Sequence, residues 1–230
     1  MDFRALYSSS KANLYRIDDG RTPLLLECGV RVREMKIALN FELSKIQGCL
    51  LTHSHLDHSR GAEELMRYGV DLYCSKETAE TLGLTGHRLH IIEALKQFRV
   101  GTWTVKAFES EHDCPGSFGY LLFSGDEKLL FLTDSFYCRY RFAGLSIIAV
   151  ECNYNPETLS PDIEPSVKNR LYKSHFSLEN VKKFLLANDL SRVSEIHLLH
   201  LSQDNSDADL FCMEIQKLTG KPVYVAQERP

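Results

Sequence analysis

An αββα sandwich, two sheets face to face with helices on the outer sides, is the fold class this sequence predicts. Short apolar runs of strand type outnumber the helical stretches. The helical stretches recur at separated points rather than in one block, as helices flanking sheets do. At 230 residues the chain can bury a full core, and one domain, 1–230, is the expected count.

Taken in order, residues 3 to 18 read as a hairpin: Phe3 to Tyr7, a polar break at Ser8-Ser9-Ser10, then Asn13 to Ile17. Leu24-Leu25-Leu26 is a strand that stops at Glu27-Cys28-Gly29, and Val30 to Lys45 is loosely helical. Ile46 to Leu51 reads as a buried strand, and Ser59 onward as a helix start with a capping Ser and acids in its first turn. Val70 to Cys74 is a strand and Lys76 to Leu82 a helix. Beyond residue 88 come short strands at Phe98 to Val100, Trp103 to Phe108, Phe118 to Phe123 and Lys128 to Leu132, the last two joined by a Gly-Asp turn. Ser146 to Val150 is apolar enough for a central strand, and residues 154 to 174, rich in Pro and polar groups, read as a long surface connection. Ser177 to Asn188 is a helix with Ser177 as cap. Strand Glu195 to Leu201, helix Ala208 to Leu218 closed by Gly220, and strand Val223 to Ala226 complete the chain.

Composition narrows the function. Hydrophobic and charged fractions of 43% and 25% are those of a globular protein. No apolar run is long enough for a membrane span, and the N-terminus lacks the apolar core of a signal peptide. Seven cysteines, an odd number, fit reduced thiols and a cytoplasmic setting better than a disulfide framework. A net charge of −4 argues against a general basic coat for nucleic acid, though not against a local basic patch.

The chemistry concentrates in Leu51-Thr52-His53-Ser54-His55-Leu56-Asp57-His58. In an extended segment His53 and His55 point the same way, and the turn that follows swings Asp57 and His58 round to face them. Imidazole and carboxylate are ligands that zinc and similar divalent ions prefer, and four of them exceed one open tetrahedral site, so two adjacent sites are expected. His112 follows a predicted strand, Asp134 ends one and His200 closes one, and the three are the candidates to complete a set of five His and two Asp.

With these residues in hand, the chain resembles the metallo-β-lactamase superfamily over its whole length, through His-x-His-x-Asp-His followed by a later His, Asp and His in order. The resemblance implies the αββα fold and two divalent ions, zinc or manganese. It implies His53, His55 and His112 on one metal, Asp57, His58 and His200 on the second, and Asp134 bridging. Within the superfamily the likeness is to the nuclease-like branch: ribonuclease Z, related phosphodiesterases and short WalJ-like exonucleases. Four stretches carry it, namely Ser8-Ser9-Ser10, His112 to Tyr120, Glu151-Cys152-Asn153-Tyr154 and Ser174-His175-Phe176-Ser177. There an acid pairs with a His that protonates the leaving group, which implies catalytic roles for Glu151 and His175 beside Asp57. Ser174 departs from the usual Gly of that motif, and Glu27 from the usual Asp.

The function expected is hydrolysis of a phosphodiester, either nucleic acid or a small molecule. Arg139, Arg141, Lys168, Arg170 and Lys173 are candidates to hold phosphates, with an ordinary solvated face as their alternative. A thioesterase or lactonase using the same metals is the rival enzyme, and a catalytically silent binding module the rival from another class. Glu27 and Asp113 are candidate acceptors for the far nitrogens of ligating histidines. His87, His90 and His197 are read as structural.

Overall fold

A computed structural model describes residues 1–159 and 163–226. The chain divides into two compact units, one of residues 1–109 and 114–126, the other of 110–113 and 127–226.

The first unit opens with an antiparallel pair, β1 (Asp2–Ser9) and β2 (Ala12–Asp18), running from Asp2 opposite Asp18 to Ser9 opposite Ala12 with a one-residue register shift between Ala5 and Tyr7. β3 (Leu24–Leu26) pairs antiparallel to β2. From there the sheet turns parallel, which requires crossovers, and helices supply them. α1 (Val32–Ala38) lies between β3 and β4 (Cys49–Leu50); α2 (Leu56–Ser59) and α3 (Ala62–Arg67) lie between β4 and β5 (Leu72–Cys74). α4 (Lys76–Leu82) leads to β6 (Leu89–Ile91). α1 buries Val32, Met35 and Ala38, one face of a helix, into a core that includes Leu25, Leu51, Leu65 and Leu72. The same unit holds an antiparallel array of β7 (Gln97–Val100), β8 (Trp103–Glu109) and β9 (Phe118–Ser124). β9 is tied to the histidine segment, where Phe118 N donates to Thr52 O at 3.0 Å and Tyr120 Oη to Leu51 O at 2.6 Å.

Three sequence expectations change here. The stretch Val30 to Lys45 is helical only over α1, because Asn40 and Phe41 take positive φ (51° and 63°) before a 3-10 turn at Leu43–Lys45. Ser59 is not a helix cap. It ends α2 and donates to the carbonyls of Ser54 and His55, so Asp57 and His58 stand on a helical turn rather than ahead of one. The strand expected at Ile46 to Leu51 narrows to β4, and β6 was not foreseen.

The second unit is a parallel sheet of β10 (Glu127–Leu132), β11 (Ile147–Glu151), β12 (Glu195–Leu199) and β13 (Val223–Val225), each paired with the next. β11 is buried along its whole length, as a central parallel strand should be. α5 (Pro165–Ser174) and α6 (Leu178–Leu186) connect β11 to β12, and α7 (Ala208–Thr219) connects β12 to β13. α5 lies within the long surface connection expected at 154 to 174, of which residues 160–162 lie outside those described, and adds a helix that was not expected there. Its sequence, Pro-Ser-Val-Lys-Asn-Arg-Leu-Tyr-Lys-Ser, buries only its last residue, so no apolar periodicity announces it. Among the described residues no helix is long and apolar enough to cross a membrane.

Candidate metal centre

The predicted ligands stand at the carboxyl ends of strands in both units, where parallel sheets present ligand-binding loops. In the first unit His53 and His55 follow β4, with Asp57 and His58 on α2. In the second, Asp134 follows β10, Glu151 is the last residue of β11, and His200 follows β12. Glu27, Asp134 and His200 all have positive φ (65°, 46° and 51°), a backbone state that costs a non-glycine residue energy and concentrates at functional sites.

In the first unit a single carboxylate sets the imidazoles. Glu27, fully buried, accepts from Thr52 N at 3.2 Å and from Thr52 Oγ1 at 2.5 Å. Having given its one proton to Glu27, the Thr52 hydroxyl must accept from His53 Nδ1, 2.8 Å away. Glu27 Oε1 also lies 3.3 Å from His58 Nδ1. The His53 ring therefore carries its proton on Nδ1 and turns its Nε2 lone pair outward, the state a metal needs, and the Glu27 charge beside His58 Nδ1 favours the same tautomer there. His53 Nε2 is 3.1 Å from His55 Nδ1, and His58 Nε2 is 3.2 Å from Asp57 Oδ2. Donor atoms bound at about 2.0–2.1 Å in a tetrahedron are roughly 3.3 Å apart, so both pairs suit the edge of a zinc-sized coordination shell.

Asn13 is a residue that sequence reading missed. Fully buried, its Nδ2 donates to Ser9 O at 2.9 Å and lies 3.1 Å from His58 Nε2 and 3.3 Å from Asp57 Oδ2. Tyr15 Oη donates to its Oδ1 at 2.9 Å and is 2.8 Å from Ser8 Oγ. The available signal was a polar residue near the start of a strand, three positions after the serine run.

In the second unit Glu151 has the corresponding part. Its Oε2 accepts from Ser135 N at 3.0 Å and Phe176 N at 3.1 Å. Its Oε1 faces His175 Nδ1 at 2.6 Å and His200 Nδ1 at 3.1 Å. Burial acts to raise the Glu151 carboxyl, but the His175 charge and the hydrogen bonds of both histidines outweigh it and hold the group below the usual carboxylate range. Burial likewise acts to lower His175, and the Glu151 carboxylate overrides it, raising the imidazole above its ordinary value. The pair foreseen in the sequence thus meets, and Glu151 also orients His200, which was not foreseen. Asn153 Nδ2 donates to the His200 carbonyl at 2.8 Å and so steadies its backbone.

His112 is anchored by Nδ1, which donates to Ser174 O at 3.0 Å. Asp113, expected as the acceptor of such a bond, instead lies 3.3 Å from Nε2 and pairs with Arg170 at 3.6 Å. The Ser174 carbonyl takes the place foreseen for Asp113. His112 Nε2 is 3.8 Å from Asp134 Oδ2, and ligand atoms of Asp134, Glu151, His175 and His200 lie within 4.8 Å of one another. Lone pairs and carboxylates gathered this closely in a buried place favour a cation among them, and in each unit the donor set fits a divalent metal.

Two of the remaining histidines stack on tyrosines. His90 stacks on Tyr73 at 4.6 Å and His197 on Tyr224 at 5.3 Å. All seven cysteines are free thiols. Of the expected phosphate-holding residues, Arg139 pairs with Glu111 at 2.5 Å, while Lys168, Arg170 and Lys173 line the exposed side of α5.

Comparison with known proteins agrees with this chemistry. A family model described as the beta-lactamase superfamily domain matches residues 22–198. The chain is 27% identical over 226 residues to exodeoxyribonuclease WalJ of Streptococcus pneumoniae, spanning 90% of this chain and 84% of that protein. It is 24% identical over 237 residues to exodeoxyribonuclease YycJ of Bacillus anthracis, spanning 95% and 89%. The solved structure of the metallo-beta-lactamase fold protein YhfI from Bacillus subtilis superposes with a TM-score of 0.75 at 16% identity, covering 98% of this chain and 96% of that one. With its His and Asp clusters and the predicted αββα architecture, the chain belongs to the beta-lactamase superfamily and has the metallo-β-lactamase fold.

Proposed function

We propose that this chain, acting as one domain over 1–230, is a metal-dependent phosphodiesterase that hydrolyses DNA. The proposed ligands are His53, His55 and His112 for one divalent ion, Asp57, His58 and His200 for a second, and Asp134 for both. Zinc suits the nitrogen-rich donor set, with manganese as the alternative. Seven free thiols favour a reducing, cytoplasmic setting. The names of the WalJ and YycJ relatives, both exodeoxyribonucleases, support DNA over RNA or a small diester.

The Glu151–His175 pair carries the assignment. When bound, two divalent ions would acidify a water at neutral pH and offset charge building on phosphate oxygens. The chain must still provide the proton that an alkoxide leaving group requires. His175, its Nδ1 held by the Glu151 carboxylate at 2.6 Å, keeps its Nε2 for that transfer. A thiolate leaves without such help, so the pair favours a diester over a thioester. Thr52 and the Ser174 carbonyl fix the tautomers of His53 and His112, and the Glu27 charge favours the same one in His58.

The test is a hydrolysis panel on protein reconstituted with zinc or manganese: single- and double-stranded DNA, RNA, bis-p-nitrophenyl phosphate, a thioester and a lactone. DNA and the model diester should be cleaved, and chelator should abolish cleavage. Efficient cleavage of the thioester or lactone with no diester turnover would overturn the proposal.

A further inference from the structure

The second unit contains a cavity of about 400 Å³ that no step above uses, within the size range of small-molecule sites. Its floor is made of two buried rings, Phe176 and Phe184, with centroids 6.1 Å apart. Tyr137, 56% exposed, and Tyr140 stand at its rim. The Arg139 guanidinium lies over the Tyr140 ring at 5.8 Å. Arg141 and Lys183 also line it, and among the described residues the lining includes no carboxylate. Burial pushes the Cys138 thiol in this wall up to about 11, so it stays neutral.

The cavity is continuous along the chain with the candidate catalytic residues and is firmly built. Its wall follows directly from Asp134 and Ser135, and Ser135 Oγ donates to Tyr137 O at 2.7 Å. Asn180 Nδ2 on α6 donates to Phe136 O at 3.1 Å, and Phe142 N to Asn188 Oδ1 at 2.6 Å, fastening the segment at both ends. Phe176 is the residue after His175. With Arg139 paired to Glu111, flat apolar surfaces flanked by Arg141 and Lys183, in a protein of net charge −4, match a flat base joined to a phosphate.

We propose that this cavity is a base subsite that takes the unpaired base of a single-stranded DNA end, stacked on Tyr137 and Tyr140, with the adjoining phosphate held by Arg141 and Lys183. The assignment of DNA rests on the phosphodiesterase reading above. Because every base offers a stacking face, the subsite selects unpaired over paired ends with little regard to sequence.

The test measures binding of a fluorescent, cleavage-resistant phosphorothioate single strand to the metal-loaded protein by anisotropy, against a blunt duplex of the same sequence. Tyr137→Ala should weaken single-strand binding by about 5- to 150-fold and leave duplex binding within about twofold. Tyr137→Phe, which keeps the ring, should bind within about twofold of wild type. Arg141→Gln should reduce the salt slope by about 0.7, one phosphate contact of a single strand. Tyr137→Ala binding like wild type, or losing single strand and duplex equally, would overturn the proposal. Tyr137 is half exposed, so its truncation leaves the core intact. The two readings fail separately. If wild type binds the strand through Tyr137 but cleaves no diester, the hydrolase reading falls and the subsite stands. If it cleaves DNA while Tyr137→Ala binds normally, the subsite falls.

Discussion

Replacing Glu151 by Gln probes the one side chain that holds both the proposed proton donor and a proposed ligand. The variant should fold, since the amide oxygen can keep the hydrogen bonds from Ser135 N and Phe176 N. The amide nitrogen then faces His175 Nδ1 and His200 Nδ1, where a carboxylate oxygen stood 2.6 and 3.1 Å away. Two N–H donors meet two N–H donors, unless both imidazoles move their proton to Nε2. For His200 that move removes the lone pair a metal requires. Charge-assisted hydrogen bonds contribute roughly 1.5–3 kcal/mol. Taking the lower figure for the longer bond to His200, metal affinity should fall about tenfold, within the roughly 10- to 100-fold span seen when such partners are removed. The shorter bond to His175 sets the larger effect, about 150-fold in turnover at saturating metal. Competition with a chromogenic chelator gives the first quantity, and steady-state kinetics with DNA the second. A folded Glu151→Gln that binds metal with wild-type affinity would refute this account of how His200 is oriented.

His175→Ala should keep both ions but lose on the order of 100- to 10,000-fold in turnover with an alkoxide leaving group, and far less with p-nitrophenolate; equal losses on both, or loss of metal, would exclude His175 as the donor. Asp134→Ala should lower elemental-analysis stoichiometry sharply from two equivalents, whereas a wild-type value of one, unchanged by added metal, would end the dinuclear model. Gly29→Ala should disturb the ligand loop, because its Cβ would fall 1.7 Å from the Asp57 carbonyl oxygen and 2.8 Å from Asn13 N; reduced metal affinity and a lower Tm would register it. Burial acts to raise the Asp19 carboxyl, but hydrogen bonds from Ser124, Thr102 and the Thr22 and Arg21 amides outweigh it and hold the group well below its ordinary value. Its contribution is therefore present above the unfolded value near 4 and lost as pH falls through the folded one, so Asp19→Asn should be less stable in urea at pH 7 and differ less from wild type by pH 3.

The candidate metal loop was legible because its proposed ligands are neighbours: alternation on a strand end and one helical turn bring His53, His55, Asp57 and His58 together with little help from the rest of the chain. The helices Lys76–Leu82 and Ala208–Thr219 were legible for a similar reason, each having a cap at its start and a glycine at its end. His112, Asp134 and His200 were weak singly and gained roles only through the resemblance, since a lone His or Asp after a strand is common. The partners that orient them were hidden more deeply. A backbone carbonyl has no signature, so nothing in residues 112 or 174 announces that Ser174 O accepts from His112. The double duty of Glu151 depends on parallel pairing of β11 with β12, which brings His200 beside it from a position 49 residues away. Asn13 reaches His58 across a separation of 45 residues. Such contacts arise when strand ends from distant parts of the chain converge, and that convergence is a property of the packed sheets, which local pattern does not encode.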